Sequence, residues 1–142
     1  MDVEIIDQGL DEYFQAIEML EGKVINAGVL SSAGGDIASI AFWNHEGTSR
    51  GIPPRPFVMQ AVETKQAMIG AALKASIAAI MTPGDVQGAL DRIGLSVQTA
   101  IKQTIKGGSF AANHPDTIKR KGSSSPLIDT GRLIGSIGYE IK

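Results

Sequence analysis

Residues 58–108 read VMQAVETKQAMIGAALKASIAAIMTPGDVQGALDRIGLSVQTAIKQTIKGG, and this stretch decides the fold. Apolar residues recur at helical spacing on both sides of Thr82-Pro83-Gly84-Asp85. Val58, Val62, Ile69, Leu73, Ile77 and Ile80 mark one stripe; Val86, Leu90, Ile93, Val97, Ile101 and Ile105 mark the second. The tetrapeptide between them supplies a stop and a start, with Thr82 as cap, Pro83 at the first helical position and Asp85 near the third. Lys102 and Lys106 fall in the last turns, where the helix dipole favours cations, and Gly107-Gly108 ends the pattern. Each helix is expected to run for about 24 residues, or about 36 Å. The short connector makes them an antiparallel hairpin. Alanines at 67, 71, 72, 75, 78 and 79 allow close approach at little entropic cost.

Outward from the hairpin, residues 47–57 hold three prolines and two glycines. Pro53, Pro54 and Pro56 fix φ and remove backbone donors, so this loop is stiff without being regular, and Pro56 is expected in the first turn of the helix that follows. Before it, Asp36 caps a helix with Ile37, Ile40, Ala41 and Asn44 on one face and Gly47 as its stop; the adjacent Phe42 and Trp43 leave a strand as the alternative. Lys23–Leu30 reads as a strand. Leu10, Tyr13, Phe14, Ile17 and Leu20 read as an amphipathic helix capped by Asp7 and stopped by Gly22. Val3–Asp7 reads as an edge strand. Beyond the hairpin, residues 109–125 read as a flexible basic loop with room for one helical turn at Asp116–Lys121. Asp129 caps a short segment over residues 130–136, and the alternation of Ile137, Tyr139 and Ile141 reads as a terminal strand. The expectation is one α+β domain over residues 1–142. A small, mainly antiparallel sheet is packed by a long antiparallel helical hairpin, with an extended C-terminal arm.

The chain has 142 residues, 43% hydrophobic and 20% charged, enough apolar surface for a self-sufficient core and too much for a disordered tail. It contains no Cys, which excludes disulfides and thiolate zinc, and only His45 and His114, which excludes an all-histidine metal site. The apolar run Met68–Met81 is interrupted by Lys74 and falls short of the ~20 residues a membrane span needs. The acidic start of the chain does not have the form of a signal peptide. The net charge of −2 conceals an asymmetry: residues 1–46 carry −8, residues 47–91 +1 and residues 92–142 +5. The two ends lie against each other or in solvent, or one subunit's acidic face meets the next one's basic face, or the basic third meets nucleic acid.

No catalytic constellation is nominated. His45-Glu46 lacks the second histidine of a helical zinc-protease motif. His114-Pro115-Asp116 matches the tripeptide of J-domain co-chaperones but follows Gly-Gly-Ser rather than a basic helix. Gly107-Gly108-Ser109 is not followed by the Gly-Lys-Ser/Thr of a P-loop. Ser31-Ser32 and Ser123–Ser125 have no histidine nearby, and Asp11-Glu12 suits a solvated helix start better than an acid–base pair. Lys119-Arg120-Lys121 reads as a solvated loop or a salt-sensitive phosphate contact, with no interleaved aromatic to stack bases. Trp43 and Phe57 flank the proline loop, as core plugs or as interface anchors.

Two segments together resemble the tail-completion, or neck, proteins of long-tailed bacteriophages and prophages, the small virion-morphogenesis proteins of the head–tail junction. The first is AFWNHEGTSRGIPPRPFVMQA at 41–61, with Glu46, Gly47 and Thr48 ahead of Pro53-Pro54-Arg55-Pro56-Phe57. Here Glu46 is followed directly by Gly47, with no aromatic between, and Trp43 stands for that aromatic. The second is NHPDTIKRKGSSSPLIDTGRLIGSIGYEI at 113–141, with Thr117, Ile118, Lys121 and Gly122 ahead of an unbroken Pro-Leu-Ile-Asp-Thr-Gly-x-Leu-x-x-Ser-Ile from Pro126 to Ile137. The first 36 residues carry none of it. The resemblance implies a non-enzymatic virion protein without cofactor or metal. Such a protein is made in the host cytoplasm and assembles as a ring, commonly a hexamer, on the tail tube. It contacts the head-side connector and leaves a lumen for DNA in transit, with no membrane partner. It makes Trp43, Glu46, Arg55, Phe57, Lys119, Arg120, Lys121, Asp129 and Arg132 candidate interface residues. Arg55 and Phe57 are expected in a buried turn or inter-subunit contact, and the three consecutive basic residues on a neighbour's acidic face. The competing expectation is a DNA-binding accessory protein that uses the basic C-terminal third and binds duplex with a steep salt dependence.

Overall fold

In the computed structural model, which describes residues 9–81, 85–127 and 131–142, helix α1 (Leu10–Leu20) leads into strand β1 (Ile25–Val29) and a 3-10 turn at Ser31–Ala33. Helices α2 (Gly35–Glu46), α3 (Phe57–Thr64), α4 (Gln66–Met81) and α5 (Val86–Gly107) follow. The short helices α6 (Pro115–Lys121) and α7 (Arg132–Gly135) precede strand β2 (Ile137–Ile141). The fold is α+β. Its sheet is one antiparallel pair, β1 with β2, in register from Ile25 opposite Ile141 to Val29 opposite Ile137. The pair is prolonged by reciprocal Val24 and Lys142 backbone bonds of 2.8 and 2.9 Å. The strand expected at Val3–Asp7 and residues 82–84 of the breaker lie outside the described residues. The caps differ from those expected: α1 starts from Gly9 rather than Asp7, α5 from Asp85 rather than Thr82, with Asp85 outside the helix and not in its first turn, and α7 from Gly131 rather than Asp129.

The helical hairpin is present, but its first arm is broken. Lys65 leaves helical geometry at φ −111°, ψ 19° and separates α3 from α4. The Thr64 hydroxyl donates back to the Gln60 carbonyl at 2.7 Å, a local competition that bends helices. The backbone ladder bridges the break, with Lys65 N donating to Ala61 O and Ile69 N to Lys65 O. The expected stripe on this arm is also corrected. Val62, Leu73 and Ile77 are exposed, whereas Phe57, Ala61 and Ser76 are buried. The reason is spacing between helices. Small side chains let α4 lie close to α5, so the ridge turned inward is the one holding Ser76. Its hydroxyl donates to Ala89 O at 2.9 Å, so its burial leaves no orphan.

Helix α5 is the axis of the molecule. Val86 and Leu90, at its start, pack with Ala16 of α1 and with Leu20, Ile25, Ile80 and Ile141. Ala100, Ile101 and Ile105, near its end, pack with Ala41, Phe57, Ala61, Leu127, Leu133 and Ile137. The buried side chains thus fall into two clusters along α5, and polar groups lie beside the first of them. There the Tyr139 hydroxyl donates to Asp91 at 3.0 Å, and Arg92 reaches Ser76 at 3.5 Å. Its bond to Asp91 holds the Tyr139 phenol above its usual pKa.

The Tyr139 ring lies against Gly94. A Cβ built there would stand 2.3 Å from Cδ2 and 2.7 Å from Cγ of the ring. Those atoms belong to the near edge of a ring tethered by β2 and by Asp91, so they cannot swing away. Gly94→Ala gains up to about 1 kcal/mol of helix propensity but incurs an overpacking cost of about 1–3 kcal/mol. The expected result is a lower urea midpoint with unchanged m-value. A midpoint equal to or above that of the parent would refute the contact.

The stretch 109–125, expected as a flexible basic loop with room for one helical turn at Asp116–Lys121, holds helix α6 there, beginning one residue earlier at Pro115. His114 is its N-cap, with the ring nitrogen accepting from the Asp116 amide at 3.3 Å; Pro115 starts α6, and Gly122 at φ 68° ends it. The His-Pro-Asp tripeptide is thus a helix start. The helix expected at α1 is present over Leu10–Leu20 and starts later than an Asp7 cap implies; only Ala16 on it is buried, and Leu10, Phe14 and Ile17 are exposed. Among the described residues no helix is long and apolar enough to cross a membrane.

Candidate functional site

The proline loop is built by its own backbone. Thr48 N donates to Ile52 O at 2.9 Å, and Gly51 N to Thr48 O at 3.2 Å. Arg55 N donates to Asn44 O at 2.7 Å, tying the loop back onto α2. Phe57 N donates to Arg55 O at 2.7 Å around Pro56 at φ −75°, ψ 66°, an inverse γ-turn. Pro56 therefore caps α3 from outside, where its expected place was within the first turn. The γ-turn sends Phe57 into the core, 2% exposed, with its ring edge-on to His45 at 5.4 Å.

The same turn points Arg55 the other way, beneath the C-terminal arm. Arg55 as a whole is 4% exposed. Nε donates to Ala111 O at 2.8 Å, one Nη to Asn44 Oδ1 at 3.2 Å, and the other Nη to Ala112 O and Asn113 Oδ1, both at 3.2 Å. All four partners are neutral oxygens. Burial pushes the guanidinium pKa below its usual value. The planar fork, with donors in fixed directions, suits this arrangement of carbonyls where a lysine would not. The arm is held further by Gln60 to Ser109 O at 3.3 Å, Asn113 to Ser125 O at 3.3 Å and Lys121 to Ser125 O at 3.1 Å.

Above Arg55 the arm, α2 and α7 enclose a cleft of about 420 Å³. Its rim carries Arg120, Lys121, Arg132 and His114, and its apolar lining includes Ile40, Ile52 and Leu133. No carboxylate is among the described residues that line it. Just outside, Asp36 accepts from Arg132 at 2.5 Å, and that bond, with help from the Ile37 amide, holds the Asp36 carboxyl below the usual range. Leu127, in the lining, adopts φ 63°, an uncommon conformation for a residue with a Cβ, and is buried at 8% exposure.

Of the residues nominated from sequence, Arg55, Arg120, Lys121 and Arg132 converge on this cleft. Phe57 does not reach it: buried in the core, it has no surface to offer a neighbour. Trp43 is 49% exposed and Glu46 is exposed, its carboxylate 2.8 Å from His45 Nδ1. Lys119 is exposed on α6. Asp129 lies outside the described residues. Sequence reasoning missed Asn44 and Asn113, the two amides that accept from Arg55, and read Asp36 as a cap rather than the partner of Arg132. Each Asn precedes a His, but nothing in that spacing signals a shared guanidinium. No family model, curated protein or solved structure matches this chain.

Proposed function

We propose that this chain is a structural virion protein, a ring-forming tail-completion or neck subunit of a long-tailed phage. The ring joins tail to head and leaves a channel for DNA. The observation that carries the reading is the Arg55 bridge. The Pro-Pro-Arg-Pro-Phe segment and the segment that begins at Asn113 are far apart in sequence, separated by the hairpin. They meet at one guanidinium: Arg55 donates to Asn113, the first residue of the second segment, and to Ala111 and Ala112 immediately before it. The two stretches that resemble that family thus form one unit of structure, a basic cleft on a rigid scaffold. Its partners on this reading are other copies of the chain, the tail tube protein and the head-side connector. Its place is the virion, after assembly in the host cytoplasm.

The charge distribution supports the same reading. An acidic front and a basic back suit heterologous contacts, which close into rings. The substitution K119E/R120E/K121E reverses the exposed face of α6. It also removes the Lys121 bond to Ser125 O and puts carboxylates at the C-terminal end of α6, so it is expected to cost about 1–2 kcal/mol and leave the domain folded, while joined particles are lost. Counting complete virions by electron microscopy beside a thermal melt of the purified variant checks both halves. Complete particles built from the variant would overturn the role given to these residues.

A further inference from the structure

Helix α1 and the basic cleft lie toward opposite ends of α5. Helix α1 rests through Ala16 on Val86 and Leu90, at the start of α5. The cleft stands near its other end, over the cluster containing Ile101 and Ile105. From Val86 to Ile105 the helix rises about 28 Å, so a chain's own α1 is remote from its own cleft.

The two surfaces have complementary chemistry. On α1, Leu10, Phe14 and Ile17 are 59%, 54% and 42% exposed at positions i, i+4 and i+7. This is the anchor pattern of a helix that lays one face into a groove. Asp11, Glu12 and Glu18 lie on the same helix, Glu21 follows it, and no basic residue occurs between Gly9 and Gly22. The cleft presents the inverse: a basic rim around a lining in which Ile40 and Ile52 are each 37% exposed. Its volume of about 420 Å³ takes a few apolar side chains from one helix face. A nucleic-acid backbone would meet the rim but leave Ile40 and Ile52 uncovered; α1 supplies both the carboxylates and the apolar side chains.

We propose that the acidic, apolar face of α1 docks into the Arg55 cleft of a second copy of this chain. The proposal rests on the ring reading and names its subunit contact. Because donor face and receiving cleft sit at opposite ends of one chain, the contact is heterologous, and repeating it builds a closed ring or a filament rather than a two-fold dimer.

The chain has no Cys, so single cysteines report the contact without interference. Glu18→Cys marks the flank of the docking face of α1, and Thr117→Cys marks the cleft. The two full-length variants are mixed and mildly oxidised, with sedimentation of the parent protein run alongside. The mixed disulfide is expected to form at least about tenfold faster than either homodimer. Adding R120E/K121E to the Thr117→Cys chain should slow it about tenfold, as loss of charge steering does. Circular dichroism checks that this variant remains folded. Homodimers forming as fast as the mixed species would overturn the proposal. Oligomers of the parent with no mixed disulfide would overturn this contact and leave the ring reading standing. A monomeric parent that forms no mixed disulfide but binds duplex DNA through Arg120 and Lys121 would overturn both.

Discussion

Arg55→Ala is expected to destabilise the chain by about 2–4 kcal/mol, since each hydrogen bond from a charged donor is worth about 1.5–3 kcal/mol and water recovers part of the loss. The substitution removes four donor contacts and leaves Ala111 O, Ala112 O and the amide oxygens of Asn44 and Asn113 without their guanidinium. The loss should not be uniform. Those acceptors sit on the C-terminal arm and on the end of α2, so residues 109–125 should lose amide-exchange protection first. The lower end of the molecule, around Val86 and Leu90, should retain it. Arg55→Lys keeps the charge but not the fork and is expected to recover less than half of the loss. Chemical denaturation with hydrogen exchange checks both points. An Arg55→Ala chain with unchanged midpoint and unchanged protection at 109–125 would mean that the guanidinium does not hold the arm.

Gly47→Ala is the second large effect, and it acts through the backbone. Gly47 sits at φ 78°, ψ 178°, a region that only glycine occupies readily, and a Cβ there would stand 2.9 Å from both Ile52 O and Pro54 N. Neither neighbour is a side chain that can turn aside. The loop must open, and it carries Arg55. Strain and clash together are expected to cost about 2–4 kcal/mol. Gly51 makes the control. At φ 103° it has nothing within 4 Å of its Cβ position, so Gly51→Ala carries conformational strain alone and should cost less. Because Gly47 and Arg55 act on the same turn, the double variant should lose less than the sum of the singles. Urea midpoints for the three glycine and arginine variants decide this. Equal costs at 47 and 51 would contradict the packing described around Gly47.

What was legible in the sequence follows from what acts locally. The helical stretch Leu10–Leu20 and the stop at Gly47 depend on spacing and on single glycines, and they are visible without a structure, whereas the cap of that first helix is not. So is the terminal strand, from the alternation of Ile137, Tyr139 and Ile141. The inner face of α4 was not legible. A helix whose polar residues are only Gln66, Lys74 and Ser76 offers no polar side by which to orient it. The close packing on α5 then selects Ser76 inward and leaves Leu73 and Ile77 outside. The break at Lys65 depends on one hydroxyl bonding one carbonyl, which periodicity does not record. At the candidate site, the basic residues were readable as charge. Their convergence on one cleft was not, because it requires Arg55 to meet acceptors more than fifty positions away.

The central proposal is that this chain closes a ring on the end of a phage tail. The most direct test is electron microscopy of tail tubes incubated with the purified, full-length protein. The account expects a ring of density on one end of each tube, absent when the protein is withheld and lost with K119E/R120E/K121E. Tubes that stay bare at both ends, with the protein instead coating duplex DNA in a salt-sensitive manner, would contradict it.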